Sequence, residues 1–84
     1  MLDPLREANK IVIGTKQTLR ALENNKVAIC FMADDADERV LQPVKRLCER
    51  RQVQVVHVKT MKELGVACGI DVGAAVAATL IDEP

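Results

Sequence analysis

Apolar residues along this chain fall into four short runs, each of about the length of a strand. Residues 11–13 are three β-branched side chains, too few for a helix and suited to a buried strand. The runs at 27–32 and 75–81 are almost wholly apolar, and the run at 53–58 alternates with polar positions. The pattern therefore predicts a sheet of four short strands.

Helix-start and helix-stop signals lie between these runs. Thr60 and Glu63 form a capping box. Asn24-Asn25 is a stop signal, because Asn tolerates the left-handed conformation. Pro43 is expected to kink its helix or to cost it a hydrogen bond. The predicted helices, each with its expected capping residue, are 4–9 (Asp3), 16–23 (Thr15), 38–51 (Asp37) and 61–67 (Thr60).

The elements alternate in the order α-β-α-β-α-β-α-β, which implies crossover connections and helices on both faces of the sheet. We expect an α/β fold, a three-layer α/β/α sandwich with a four-stranded mixed sheet. Residues 1–84 form one domain, because a chain of 84 residues supports a single core. No apolar stretch reaches the ~18–20 residues of a membrane span, and the N-terminus does not resemble a signal peptide. A cytoplasmic monomer without membrane association is expected.

Several residue types that carry chemistry are scarce. The chain has no Ser, which excludes serine nucleophiles, and Phe31 alone cannot form the stacking platform of RRM, cold-shock or OB-type binders. His57 would need a partner carboxylate to be catalytic and is expected to be a packed or edge residue. Cys30, Cys48 and Cys68 form no C-x-x-C pair and are expected to be buried small hydrophobes. The composition argues against an enzyme, and no cofactor or metal site is predicted.

Charge is balanced in total but unevenly placed. Twelve basic and twelve acidic residues give a net charge of zero, which argues against a polycationic coat. Residues 34–38 carry four acids, whereas residues 39–62 carry seven basic groups against Glu49 alone. The fold could gather part of this excess into a small basic patch. Alternatively, an ordinary solvated helix face accounts for three of these basic residues, Arg46, Arg50 and Arg51.

The first candidate site is the strand-to-helix junction formed by residues 14–17, with Arg20 one turn further on. Gly14 allows close approach to the backbone, and the first helical turn offers free N–H donors with positive partial charge. Lys16 and Arg20 lie on one helix face, and the Gln17 amide both donates and accepts. This set suits phosphates and base edges, although it lacks the pattern of a dinucleotide loop or a P-loop. The alternative is a capped helix start in solvent.

The second candidate site is the loop after the last predicted helix. Gly69 and Gly73 bracket Ile70, Asp71 and Val72. If Ile70 and Val72 are exposed, they form an apolar wedge with no intramolecular role. The alternative is that both side chains fold back into the core, as most Ile and Val side chains do.

With these segments, the chain resembles the kink-turn RNA-binding ribosomal-protein family over residues 8–81. The most specific pieces are Ile-Gly-Thr-Lys-Gln at 13–17, Ala-Asp-Asp-Ala-Asp at 33–37 and Leu-Gly-Val-Ala-Cys-Gly-Ile at 64–70. That family includes archaeal and eukaryotic large-subunit ribosomal proteins, a box C/D guide-RNA protein and a spliceosomal RNA-binding protein. Lys-Gln after Gly-Thr, and the short length, look like its small bacterial branch of YbxF type. The resemblance implies an α/β/α sandwich without enzyme activity that binds a kinked RNA helix, in which tandem sheared G·A pairs lie beside a bulge.

The resemblance also implies roles for single residues. Lys16 and Gln17 take the places of an Asn-Glu pair that reads guanine edges in archaeal members, and Arg20 matches a Lys that reaches guanine or phosphate. Asp37 falls near an acid that contacts a flipped base, and the loop 69–72 covers the bulged nucleotides. The implied RNA-binding residues are Gly14, Thr15, Lys16, Gln17, Arg20, Asp37, Gly69, Ile70, Asp71 and Val72.

Two departures from the family pattern bear on affinity. In the Lys16-Gln17 pair, Lys16 replaces neutral donation with a charged contact, and Gln17 keeps an acceptor but loses the charge that accepts from a guanine amino group. Val72 stands where several relatives carry an Arg. The expected partner is a structured RNA with a kink-turn, in rRNA or an mRNA leader, and the ribosome is a candidate assembly. The alternative is a protein–protein interaction module of the same fold, in which Lys16→Ala and Arg20→Ala would be silent.

Overall fold

The computed structural model describes residues 10–81, so the helix predicted over 4–9 lies outside the described residues. Seven elements follow one another, and their types agree with the prediction. They are β1 (Ile11–Ile13), α1 (Thr15–Glu23), β2 (Val27–Ala33), α2 (Glu38–Arg51), β3 (Gln54–Val58), α3 (Met61–Cys68) and β4 (Val76–Leu80). The predicted α/β class is confirmed.

The four strands form one mixed sheet in the order β1-β4-β2-β3. β2 and β3 are parallel, and β4 runs antiparallel between β1 and β2. The carboxyl ends of β1, β2 and β3 therefore lie beside the amino end of β4. At this end of the sheet, which we call the loop end, Ile13 is paired with Ala77 and Met32 with Val76.

Helices cover both faces of the sheet. Residues 30–33 of the central strand β2 are all fully buried, although neighbouring side chains of a strand point to opposite faces. α1 and α2 pack against each other, whereas α3 packs against β2, β3 and β4. The largest fully buried side chains are Phe31, Leu22, Met32, Leu64 and Val44. The layers are those of the predicted α/β/α sandwich.

Helix caps agree with the prediction at two starts and differ at one. The carboxylate of Asp37 accepts from the Arg39 N–H at 2.9 Å, and the Thr60 hydroxyl accepts from the Glu63 N–H at 3.1 Å. The expected Thr15 cap is wrong: Thr15 is the first residue of α1, and Gly14 occupies the cap position with no side-chain bond. Gly14 has φ +108°, where a residue with a side chain is strained, so the chain turns at Gly14 instead of Thr15.

Two of the three cysteines behave as predicted. Cys30 and Cys48 are buried, and Cys68 is half-buried; none of the three is in a disulfide. A hydrogen bond with Cys48, together with burial, raises the pKa of the Cys30 thiol far above its usual value. α2 runs unbroken through Pro43. Within residues 10–81, no helix is long and apolar enough to cross a membrane.

Candidate functional site

Backbone hydrogen bonds bring the two candidate segments together at the loop end. The Gly14 N–H donates to the Val76 carbonyl at 2.9 Å, which ties the start of α1 to the start of β4. The Ala33 N–H donates to the Ala75 carbonyl at 2.9 Å, which ties the end of β2 to the same stretch. The loop 69–73 immediately precedes Ala74 and Ala75. Residues 14–20 and 69–72, far apart in the sequence, therefore both lie at the loop end.

The start of α1 presents unpaired polar groups. The first bond inside the turn runs from the Thr18 N–H to the Gly14 carbonyl at 3.1 Å, so the three preceding N–H groups have no intrahelical acceptor. The first turn of α1 carries no acid. Lys16, Gln17 and Arg20 are exposed, and none of them has a side-chain hydrogen bond or ion pair with any residue in the described range. This end of α1 is a compact set of donors with positive partial charge.

Gly14 and Gln17 fit closely together. A Cβ added to Gly14 would lie 2.9 Å from the Gln17 Oε1, so the Gln17 side chain lies over the bare backbone of Gly14. The amide is thereby placed at the mouth of the helix, where it can both donate and accept. Thr15 is half-buried beside it.

The two apolar side chains of the loop 69–72, Ile70 and Val72, differ in exposure. Gly69, at φ +80°, ends α3 in the left-handed conformation. Val72 is 71% exposed, and Asp71 is exposed as well. Ile70 is half-buried and packs against the core. Only Val72 therefore projects fully, while Ile70 belongs partly to the wedge and partly to the core.

A glycine inside α3 fixes the position of this loop, and the sequence analysis did not single it out as a site residue. A side chain at Gly65 would overlap the Val72 carbonyl oxygen, so the loop lies directly on the helix backbone. The Ile70 N–H donates to the Gly65 carbonyl at 3.0 Å, and the Ala74 N–H donates to the Met61 carbonyl at 3.0 Å. The available signal was a glycine in a helix interior, which marks a close backbone approach.

The acidic stretch 34–37 also lies at the loop end, but the protein's own groups engage its carboxylates. Asp34 pairs with the His57 Nδ1 at 2.9 Å, and Asp35 accepts from the Met61 N–H at 2.8 Å. Asp37 forms an ion pair with Arg39 at 2.9 Å, and these hydrogen bonds hold the pKa of Asp37 below its usual value.

The pair of His57 and Asp34 lies in the open. His57 is on the edge strand β3, as predicted, and both side chains of the pair are about half exposed. Asp34 is a partner carboxylate of the kind that a catalytic His needs, yet the pair faces solvent. Among residues 10–81, no three His, Cys, Asp or Glu side chains are grouped so that they could hold a metal ion.

These features define a small binding domain, whose surface combines helix-start donors with an adjoining apolar loop. The sequence matches the Ribosomal protein L7Ae/L30e/S12e/Gadd45 family over residues 1–83, and the chain belongs to that family. This match confirms the family resemblance predicted from the sequence.

Relatives and solved structures agree with this membership. An RNA-binding protein of Caldanaerobacter subterraneus is 53% identical over 74 residues, which cover 88% of this chain and 90% of that protein. The RNA-binding protein YbxF of Geobacillus stearothermophilus is 46% identical with the same coverage. The structure of the Giardia lamblia 15.5kD RNA binding protein superposes with a TM-score of 0.86 at 24% identity, covering 98% of this chain and 72% of that one. This last likeness establishes the shared fold.

Proposed function

We propose that the protein binds RNA at a kink-turn, with the loop end of its sheet as the contact surface. The observation that carries this proposal is the Gly14 N–H to Val76 carbonyl bond at 2.9 Å. That bond ties the polar start of α1 to the start of β4, the strand that follows the apolar loop 69–72. A kinked helix presents two different features side by side, base edges with phosphates and unstacked nucleotides, and this surface offers a suitable group for each.

The start of α1 supplies the polar contacts. Gly14 and Thr15 let the RNA backbone approach, and the free N–H groups of the first turn suit phosphate oxygens. Gln17 reads the edges of the sheared G·A pairs, because an amide both donates and accepts. Lys16 and Arg20 supply positive charge to phosphate or guanine acceptors.

The loop supplies the apolar contacts. Val72 covers an unstacked base or a ribose in the bulge, and the exposed part of Ile70 extends that cover. Such contacts suit RNA recognition, because proteins read single-stranded and distorted segments whose bases are unstacked. The Asp37 contact predicted from the resemblance would require Arg39 to release the carboxylate that it now holds.

Family membership and the names of the relatives, which are RNA-binding proteins, support an RNA partner. The kink is the specific part of the proposal. The deep groove of regular A-form RNA is closed to side chains, and a domain whose one aromatic residue, Phe31, is buried has no platform for stacking ordinary single strands. We place the protein in the cytoplasm, on rRNA or an mRNA leader.

A gel-shift titration tests this function. The RNAs are a kink-turn with tandem sheared G·A pairs and a straight duplex of equal length, in which those pairs are Watson–Crick and the bulge is deleted. We expect tight binding to the kink-turn and only weak, salt-sensitive binding to the duplex. Equal affinity for the two RNAs would rule out recognition of the kink.

A further inference from the structure

A second surface lies between the two helices that pack together on one face of the sheet. A groove of about 330 Å³ separates α1 from α2. Its floor is apolar, and arginines stand on the α2 side. The lining residues are Leu19, Glu23, Pro43, Arg46, Leu47 and Arg50. We call this the α1–α2 groove.

Two arginines of the groove are not used by the fold. Other cations of α2 are engaged: Arg39 and Lys45 form ion pairs with acids at 2.9 and 3.0 Å, and Arg51 donates to a backbone carbonyl of α1 at 3.4 Å. Arg46 and Arg50 are exposed and form neither a hydrogen bond nor an ion pair with any residue from 10 to 81. Their positive charges are therefore available to a partner.

The spacing of these arginines suits a phosphate backbone. Arg46 and Arg50 are one helical turn apart, which places their Cα atoms ~6 Å apart along the helix axis. A guanidinium donates two parallel hydrogen bonds to a phosphate. The one acid of the groove, Glu23, lies on the α1 wall and pairs with neither arginine.

The groove and the proposed RNA surface share the helix α1. Lys16 and Arg20, on the exposed face of α1, lie on the same helix as Leu19 and Glu23 of the groove wall. α1 and α2 both begin at the loop end, and Arg46 lies ~12 Å along α2 from its start. An RNA arm that leaves the start of α1 along the helix layer would pass over the groove.

We infer that the α1–α2 groove binds the phosphate backbone of one helical arm of the RNA, with Arg46 and Arg50 as the phosphate contacts. This inference rests on the proposed function. The apolar floor of Leu19, Pro43 and Leu47 faces ribose carbons of the same strand. The charges favour a nucleic acid over an acidic protein, because the unpaired arginines of α2 add to the unpaired Lys16 and Arg20 of α1, the helix packed against it.

The test compares Arg46→Gln/Arg50→Gln with a control that removes the same charge elsewhere. The control is Lys10→Gln/Lys45→Gln, since Lys10 lines a hollow with Lys26, Leu80 and Ile81, and Lys45 is paired with Glu38. Affinity is measured over a salt series for a kink-turn with long arms and for one whose arms are cut back to the base pairs at the kink. Losing two phosphate contacts should lower the slope of log K against log salt by ~1.4–1.8 on the long-armed RNA only.

Several outcomes would overturn the inference. An unchanged slope for Arg46→Gln/Arg50→Gln, an equal change in the control, or the same loss on the short-armed RNA would each do so. If Lys16→Ala/Arg20→Ala weakens binding while Arg46→Gln/Arg50→Gln does not, the groove assignment fails and the proposed function stands. If the unaltered protein does not prefer the kinked RNA, both fail. An unchanged RNA slope, with a poly-glutamate peptide bound by the unaltered protein and lost in Arg46→Gln/Arg50→Gln, would assign the groove to an acidic protein.

Discussion

Two strand-to-helix junctions lie at the loop end, on either side of the start of β4, and their polar groups differ in whether the protein itself engages them. In the junction 34–37, all three aspartates are held by groups of the protein itself, at distances of 2.8–2.9 Å. In the junction that begins at Gly14, the side chains of Lys16, Gln17 and Arg20 have no partner among the described residues. The first junction uses its charges to stabilise the fold, whereas the second leaves its polar side chains unpaired, although both carry charge.

Replacing Gly14 should have the largest effect on RNA affinity, because it alters the junction whose polar groups are unpaired. Gly14→Ala adds a side chain at φ +108°, a conformation that costs ~1–3 kcal/mol, and its Cβ would press on the Gln17 amide. We expect lower thermal stability and an affinity for the kinked RNA that falls about tenfold or more, since a base-edge contact is worth ~1–3 kcal/mol.

The control for Gly14→Ala compares the affinity loss of a double variant with the losses of the single variants. If Gly14 acts by placing Gln17, then Gly14→Ala/Gln17→Ala should bind little worse than Gly14→Ala alone. Full additivity of the two losses would show that Gly14 contributes independently of Gln17. Asn25→Ala provides the strain control, because Asn25 has φ +57° and lies outside the proposed RNA surface.

Single replacements in the junction that begins at Gly14 should separate effects on specificity from effects on affinity. Gln17→Ala should lose discrimination for the sheared G·A pairs by ~1–3 kcal/mol. Arg20→Ala should weaken binding to all kinked RNAs similarly and reduce the salt slope by about 1. Titrations against a kink-turn with and without its G·A pairs, at several salt concentrations, measure both. Unchanged binding in both variants, with the fold intact, would leave the start of α1 as an ordinary helix end.

The two apolar side chains of the loop should respond differently. Val72 is 71% exposed, so Val72→Ala should leave the melting temperature nearly unchanged and weaken RNA binding by roughly tenfold, at ~0.8 kcal/mol per buried methylene. Ile70 packs against the core, so Ile70→Ala should lower both stability and affinity. Thermal unfolding and RNA titration of the two variants check this. Normal affinity in Val72→Ala would exclude the loop from the interface.

Replacements in the junction 34–37 should have the smallest effect on RNA affinity. Asp37→Ala removes the N-cap of α2 and should lower the melting temperature by a few degrees, whereas Asp37→Asn keeps a capping acceptor and should change it little. RNA affinity should stay constant in both variants. An affinity loss in Asp37→Asn at unchanged stability would instead establish the RNA contact expected from the family resemblance.

The same residue gives a pH dependence with a definite sign. The hydrogen bonds from Arg39 hold the pKa of Asp37 below its usual 3.8 in the folded protein. The folded state therefore binds fewer protons than the unfolded chain near that pH. The stabilisation is complete above pH ~5 and is lost progressively as the pH falls below 3.8 and through the lowered pKa. In Asp37→Asn, this part of the acid destabilisation should be missing from melting curves recorded between pH 6 and pH 2.5.

Local signals predicted most of the fold. Asp37 and Thr60 cap the expected helices because each carboxylate or hydroxyl needs only an N–H two or three residues away. Thr15 failed as a cap because Gly14 takes a conformation that sequence propensity does not distinguish from an ordinary loop. Local signals also could not predict the order of the strands. β4 lies between β1 and β2, and its pairings join residues that are far apart in the sequence.

The candidate site was predictable as two segments but not as one surface. Residues 14–20 and 69–72 stand out by composition, yet only the pairing of β1 with β4 brings both to the loop end. The different exposure of Ile70 and Val72 depends on Gly65, whose missing side chain lets the loop lie on α3. Tertiary packing determines such contacts, and the periodicity of apolar residues in the sequence carries no information about them.

The bond between Gly14 and Val76 has a consequence for the timing of activity. It joins residues that are 62 positions apart in the sequence, and we expect such a long loop to close late in folding, because its entropic cost precedes any gain from contacts. During synthesis, α1 leaves the ribosome long before β4 does. We therefore expect a nascent chain to lack the complete proposed RNA surface until β4 enters the sheet.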